Sequence, residues 1–158
     1  MTQWRTIMNI NIVAIGKIKE KYFTDAINEY AKRLSKFCTF NIIEIPEKTV
    51  ETNISKKTVD ESNQLLLACK GTIVLLDRQG KLTSSPELAT LIDNISQTSS
   101  TISFIIGGSN GVSDELKQKA HYSISFGKIT YPHQLFRVIL SEQIYRAFSI
   151  NSGLPYHK

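Results

Sequence analysis

The sequence has few of the residues from which disulfides and metal centres are built. Its two cysteines, Cys38 and Cys69, lie far apart and form no CxxC pattern, so both are expected to be reduced, partly buried thiols. Its three histidines, His121, His133 and His157, show no metal-ligand spacing. We therefore expect neither a disulfide nor a bound metal.

Long apolar runs are also missing. No stretch approaches the ~18 apolar residues that a membrane span requires. The opening MTQWRTIMNINIVAIG lacks the long apolar core and the small-residue cleavage site of a signal peptide. These two absences predict a cytoplasmic protein.

Common nucleotide-binding and hydrolase motifs are absent as well. The chain contains no GxGxxG and no GxxxxGK[ST], which gives little support to a dinucleotide site or a P-loop. No Ser/His/Asp or Cys/His constellation has a recognisable local signature. Taken alone, His133 is more often a structural hydrogen-bonding residue than a catalyst.

The composition is that of an ordinary globular domain with a basic excess. The chain has 158 residues, 41% of them apolar and 21% charged, and a formal net charge of +5. Residues 1–8 are interpreted as a weakly ordered N-terminal extension and residues 9–158 as one domain. The positive charge suits a polyanionic partner, although many basic proteins bind no nucleic acid.

Strand and helix patterns alternate along the whole chain. Period-two or continuous apolar runs predict strands at 9–15, 39–45, 71–76, 101–106 and 121–126. Helical periodicity predicts helices at 20–37, 56–70, 85–96, 113–120 and 133–149, with Ser85 and Ser113 as N-caps. Strict β-α alternation predicts an α/β fold with a mostly parallel sheet and helices on both faces.

Three of the predicted strands end in segments suited to ligand binding. These are Leu76-Asp77, which opens a predicted turn at 77–81, the GGSNG sequence at 107–111, and residues 126–133. Ligands of open α/β sheets bind beyond the carboxyl ends of the strands. Read alone, GGSNG also fits a tight turn before a helix.

The last third of the chain combines a long apolar helix with a reactive tail. The apolar residues of helix 133–149 point in nearly every direction, so it is either a central core helix or an interface with a second subunit. Glu142 and Arg146 have the spacing of an ion pair. The tail ends in Tyr156, His157 and Lys158, which carry a phenol, an imidazole and an ammonium group.

Several of these segments together resemble a known family. IGGSNG at 106–111, SFGKITYPHQLFRVILSEQIYRAFSI at 125–150, the terminal PYHK and the opening NIVAIGKIKEKYFTDAINEYAKRL at 11–34 are similar to the SPOUT-class methyltransferases that modify a pseudouridine in large-subunit ribosomal RNA, the RlmH family. The resemblance covers the chain from Met8 onward. It implies a C-terminal trefoil knot, a homodimer and methylation of pseudouridine N3 on assembled ribosomes.

The resemblance also implies a cofactor and a set of site residues. The cofactor is S-adenosyl-L-methionine, held by Leu76, Gly107, Phe126, Gly127, Lys128, Ile129, Thr130 and Tyr131. The implied catalytic residues are Tyr156, to stack on or bond the base, His157, as base or orienter, and Lys158, for phosphate. Arg137 and Arg146 are further candidates for RNA or interface contacts.

Other interpretations of the sequence remain open at this stage. The lysines that flank helix 20–37 suit either an RNA-facing surface or a solvated helix face. The whole chain also fits a non-catalytic α/β dimer that binds nucleotide or RNA. A Rossmann-type methyltransferase with a small-molecule substrate fits the sequence less well, because the glycine-rich turn of that fold follows the first strand. The glycine cluster of this sequence lies late in the chain, at 107–111.

Overall fold

Strands and helices alternate along the part of the chain that the structure describes. This is a computed structural model, and it describes residues 7–48 and 50–158. The strands are β1 (Met8–Ile15), β2 (Cys38–Ile45), β3 (Thr72–Leu82), β4 (Thr101–Ile106) and β5 (Tyr122–Ser125). The helices are α1 (Lys21–Leu34), α2 (Ile54–Ala68), α3 (Ser85–Ser96), α4 (Asp114–Lys119) and α5 (His133–Asn151). Of the predicted N-terminal extension, residues 1–6 lie outside the described residues.

The five strands form one parallel sheet in the order β2-β1-β4-β3-β5. The central strands are the most apolar ones, since β4 is flanked by β1 and β3 and five of its six residues are buried. A continuous apolar run is typical of a strand covered on both faces. The predicted α/β class with a parallel sheet is confirmed.

Side chains of successive strand residues enter two separate cores. Ile12 and Phe104 belong to the larger core, which lies against α1, α3 and α5. Val13 and Ile105 belong to the smaller core, which lies against α2 and α4. This alternation follows from the period of two residues in a strand. The predicted placement of helices on both faces is therefore confirmed.

The predicted turn at 77–81 is wrong, because β3 continues to Leu82. Its pairing with β5 is interrupted instead, with Leu76 and Lys81 both opposite Ile124. Gly80 makes the close approach possible, because a Cβ at this position would lie 2.7 Å from the Ser123 backbone. Residues 77–80 thus protrude at the carboxyl edge of the sheet while the chain stays beside β5.

Two predicted helix starts are shifted. Ser84, not Ser85, caps α3, because Ser84 Oγ accepts from the Glu87 backbone N–H and the Glu87 side chain accepts from the Ser84 N–H. The Ser85 hydroxyl instead donates to the Gln143 side chain at 2.6 Å. Helix α2 begins before the predicted residue 56, with Asn53 as its cap. Ser113 caps α4 as predicted.

Helix α5 lies on the larger core between α1 and α3. Every residue from 134 to 150 is at least partly buried within the single chain. Its apolar residues point in many directions because helices and the sheet surround most of its circumference. Among the described residues, no helix is long and apolar enough to cross a membrane.

Candidate active site

A cavity of about 300 Å³ opens at the carboxyl edge of the sheet. Because all strands are parallel, the loops after β4 and β5 meet at this edge, together with the protruding residues 77–80 of β3. The walls of the cavity are formed by residues 76–78, 106–112, 124–127 and 129–131, with Lys117, His133 and Phe136. Its size is at the lower end of the range of small-molecule sites.

The glycine turn after β4 forms one wall of this cavity. Gly107 is required by close packing, since a Cβ there would lie 2.6 Å from Val112 Cγ1. The turn closes with a bond from the Gly111 N–H to the Gly108 carbonyl at 3.0 Å, and Gly111 has a φ of +77°. Gly108 leans on the buried Glu61 of α2, whose Oε1 would be 3.0 Å from an added Cβ. The turn thus brings three residues without side chains, Gly107, Gly108 and Gly111, to the cavity wall.

The loop between β5 and α5 forms the opposite wall. The Phe126 and Tyr131 rings lie 5.8 and 5.7 Å from the Phe136 ring, which gives this wall an aromatic surface. Arg78 Nη1 donates to Thr130 Oγ1 at 2.5 Å and so connects the protruding segment of β3 to this loop. Gly127 has a φ of +116°, and its N–H donates to Ser125 Oγ. The aromatic surface of this wall suits a flat heterocycle.

The cavity includes nearly every residue that the sequence predicted to bind a cofactor. Leu76, Gly107, Phe126, Gly127, Ile129, Thr130 and Tyr131 all line it. Lys128 does not line it, and its side chain is exposed. Arg78, Lys117 and Phe136 also line the cavity but were not predicted as site residues. Each lies one or more residues beyond the predicted end of a strand, where the ligand site was expected.

The C-terminal tail folds back on α5, away from the residues that line the cavity. Glu142 lies at its centre, since its Oε1 accepts from Arg146 Nε at 2.9 Å and from the Tyr156 hydroxyl at 3.0 Å. The Tyr156 ring lies 4.7 Å from the Tyr145 ring and 4.7 Å from the Arg146 guanidinium carbon. The predicted Glu142–Arg146 pair is confirmed. None of Tyr156, His157 and Lys158 touches the cavity of its own chain.

The contact with Arg146 determines which ring nitrogen of the neutral His157 carries the proton. Arg146 Nη1 lies 3.1 Å from His157 Nδ1, and a guanidinium group can only donate hydrogen bonds. Nδ1 must therefore accept, so the proton of the neutral imidazole resides on Nε2. Burial, together with the bond to Glu142, raises the pKa of Tyr156 to about 12. Tyr156 thus carries its hydrogen at neutral pH.

Arg137 does not have the exposed role that the sequence suggested. The prediction of an RNA or interface contact is wrong for this residue, whose relative exposure is 1%. Its guanidinium donates to the Glu44 carboxylate at 2.8 Å and to the Ile15 and Gly16 carbonyls at 2.7 Å each. Burial lowers the pKa of Arg137, against the opposing effect of Glu44. It joins α5 to the carboxyl ends of β1 and β2.

Metal-ligating residues do not cluster in the described part of the chain. Residues 7–48 and 50–158 contain no group of three histidine, cysteine, aspartate or glutamate side chains that could hold a metal ion. Burial raises the pKa of Cys38 to about 12 and that of Cys69 to about 11. Neither thiol is activated as a nucleophile or ligand at neutral pH.

Comparison with known proteins assigns this fold and cavity to a class. Residues 8–157 match the family model described as a predicted SPOUT methyltransferase. A solved structure of a probable methylase family protein from Haemophilus influenzae Rd KW20 superposes with a TM-score of 0.57 at 16% identity, over 96% of this chain and 71% of that one. At that identity the superposition supports the fold alone.

Curated relatives narrow the class to one family. Proteins named ribosomal RNA large subunit methyltransferase H from Clostridium botulinum (strain Alaska E43 / Type E3) and Clostridium acetobutylicum are 47% and 46% identical to this chain. Each alignment spans 96% of this chain and the whole of the relative. The chain therefore belongs to the ribosomal RNA large subunit methyltransferase H family, within the SPOUT methyltransferases.

Proposed function

We propose that this protein uses S-adenosyl-L-methionine to methylate N3 of a pseudouridine in large-subunit ribosomal RNA, acting on assembled ribosomes in the cytoplasm. The observation that carries the proposal is the cavity at the carboxyl edge of the sheet, built by the glycine turn and the β5–α5 loop in a chain of this family. The C-terminal trefoil knot and the homodimer belong to the same proposal.

The cavity residues fit this cofactor. The aromatic wall of Phe126, Tyr131 and Phe136 suits an adenine ring, and Gly107 lets the chain pass close to Val112 in the opposite wall. We expect backbone groups of 126–131 to bind the heterocycle and the ribose. When bound, the cofactor supplies an electrophilic methyl group on a sulfonium. The contribution of the chain is to hold this group and the target nitrogen in line, which lowers the entropic part of the barrier.

The tail supplies the groups that meet the base. Because its Nδ1 accepts from Arg146, His157 presents Nε2–H, a donor suited to a uracil carbonyl. His157 in this arrangement orients the base, and the N3 proton passes to solvent water rather than to His157. Tyr156 remains protonated and anchors the tail to Glu142. Lys158 is exposed and suited to a phosphate.

The separation of tail and cavity within one chain supports a site shared between subunits. In a twofold dimer, the tail of one chain can complete the cavity of the other. Mixing chains that lack the tail with chains that carry Gly107→Ala tests this arrangement, at a cofactor concentration low enough that Gly107→Ala chains alone show little activity. Equal amounts are expected to recover about a quarter of wild-type activity, since half of the dimers are mixed and each has one intact site. No recovery would show that tail and cavity act within the same chain.

Methyl transfer to ribosomes tests the function itself. Ribosomes from a strain that lacks the gene are incubated with the protein and labelled cofactor, and the modified nucleotide is mapped. Label on a pseudouridine of the large subunit is the expected result. Binding of the cofactor without transfer would favour the non-catalytic binding dimer, and label on a small molecule would favour a different substrate class.

Truncation of the tail separates its role from that of the cavity. A chain that ends at Pro155 is expected to lose transfer and to bind S-adenosyl-L-methionine normally in calorimetry, because the cavity loops remain. A chain that ends at Tyr156 is the matched control, since it keeps the contacts of Tyr156 with Glu142 and Tyr145. It is expected to be folded as stably as the full chain and to be as inactive as the chain that ends at Pro155. Transfer at the wild-type rate by either chain would refute the role of the tail.

A further inference from the structure

The loop between β1 and α1, residues 16–20 with the sequence GKIKE, carries two exposed lysines without an acidic partner. Lys17 and Lys19 are exposed. Among residues 7–48 and 50–158, no carboxylate lies within 4.0 Å of either ammonium group. Some exposed cations of this protein, Lys21 and Lys119 among them, have a carboxylate one helical turn away, whereas others, such as Lys32 and Lys70, form no ion pair among the described residues. The two loop lysines therefore have charge available for an external anion.

The backbone of this loop is fixed by bonds from three directions. The Gly16 N–H donates to the Ile45 carbonyl at 2.7 Å, and the Ile18 N–H donates to Glu44 Oε2 at 3.0 Å. The Lys19 N–H donates to Gln134 Oε1 at 3.0 Å. Arg137, which is buried below, donates to the Gly16 carbonyl and to Glu44. A loop held in this way loses little backbone entropy when its side chains bind a partner.

The position of the loop places both lysines beside the cavity. It follows β1, whose Ala14 pairs with Ile106 of β4, and Ile106 lines the cavity. Its anchor Gln134 follows His133, which also lines the cavity. The loop itself contributes no residue to the lining, so its lysines do not contact a small molecule in that space.

Charges of both signs lie at the same edge of the sheet. Arg78 and Lys117 line the cavity, and Lys128 is exposed next to it. The acidic groups nearby are Asp77, whose Oδ1 accepts from the Gln79 N–H, the exposed Glu20, and the buried Glu61 beside Gly108, while Glu44 is paired with Arg137. The lysine loop adds to this edge two exposed cations that have no ion-pair partner within the described ranges.

We propose that Lys17 and Lys19 bind the phosphate backbone of the ribosomal RNA on either side of the target nucleotide, beside the cavity. The inference rests on the proposed function for the identity of the polyanion. Lysine ammonium groups are point charges that bind phosphate without reading the sequence. The loop therefore positions the RNA strand and contributes affinity that depends on salt. The network of Arg137, Glu44 and Gln134 fixes where the phosphates are held.

The test compares two double variants that remove the same charge. Lys17→Gln/Lys19→Gln changes the loop. Lys32→Gln/Lys70→Gln is the control, because Lys32 near the end of α1 and Lys70 before β3 are exposed at the opposite edge of the sheet. Binding of labelled protein to 70S ribosomes is measured by fluorescence anisotropy at 50–200 mM KCl, with transfer kinetics and cofactor affinity measured in parallel.

The loop variant is expected to bind ribosomes about tenfold more weakly than the wild type at 200 mM KCl. The salt slope, which is the magnitude of the slope of log K against log[KCl], is expected to fall by about 1.4 to 1.8, or 0.7 to 0.9 for each lost contact. Its KM for ribosomes should rise while kcat and cofactor affinity stay unchanged. The control should behave as the wild type.

Two results overturn the inference. An unchanged affinity and salt slope in the loop variant means that the lysines do not meet phosphate. An equal loss in the control variant means that net charge, not the position of the loop, determines binding. Failure of the proposed function is distinguishable, because the wild type would then transfer no methyl group to ribosomes, whereas binding is measured without transfer.

Discussion

Replacing Arg137 with methionine is expected to lower the free energy of unfolding by about 3 kcal/mol, in the range for removal of one partner of a buried charge pair. The variant leaves the Ile15 and Gly16 carbonyls without their donor, and each unpaired buried acceptor costs about 1–3 kcal/mol. Two effects reduce the loss. The Glu44 side chain is 34% exposed, so water can replace Arg137 as its partner. The free-energy cost of burying the guanidinium, which also lowers the pKa of Arg137, is absent from the variant.

Urea unfolding followed by circular dichroism, at one fixed protein concentration, measures this change. Lys32→Met is the control, because an exposed substitution is expected to change stability by no more than ~0.5 kcal/mol. Glu44→Gln alone should cost about 1 kcal/mol, since the amide oxygen still accepts from Arg137. A loss below about 1 kcal/mol in Arg137→Met would refute the reasoning that this network joins α5 to the strand ends.

Three further predictions concern the cavity, the tail and α3. Gly107→Ala should weaken cofactor binding roughly tenfold in calorimetry, because the new methyl group displaces Val112; unchanged affinity would contradict the cavity as the cofactor site. Tyr156 should titrate near pH 12, measured as the difference in absorbance between the wild type and Tyr156→Phe. Its contribution to the free energy of unfolding should be complete below pH ~10 and should disappear as the pH rises to about 12. Titration near pH 10 would contradict the Glu142 contact. Ser84→Ala should cost about 1 kcal/mol in urea unfolding, and no change would contradict the capping box.

Local patterns in the sequence were sufficient for the architecture. The buried strand at 101–106 and the cap at Ser113 were predicted as they are observed, because continuous apolar runs and N-cap residues act over a few neighbouring positions. Element boundaries were less accurate. The extension of β3 through residues 77–82 depends on the backbone of β5, which is 40 residues away, and no local pattern encodes that contact.

The residues of the site, like the elements of the fold, could be predicted only where the local sequence determines them. The sequence predicted the strand-end loops as a ligand site, since parallel strands bring their carboxyl ends to one edge. It did not predict that Arg78 would join Thr130 or that Phe136 would complete the aromatic wall. These contacts connect separate elements, so they depend on how the helices lie on the sheet.

The sequence by itself determined the α/β alternation, the parallel sheet, the glycine turn and the reactive tail. Only the tertiary structure decided the environment of each charged residue. Arg137 and Arg146 look equivalent on the helix pattern, yet one is buried against strand carbonyls and the other holds the tail through Glu142. The physical reason is that burial and pairing depend on groups distant in the chain, whereas periodicity depends only on neighbours.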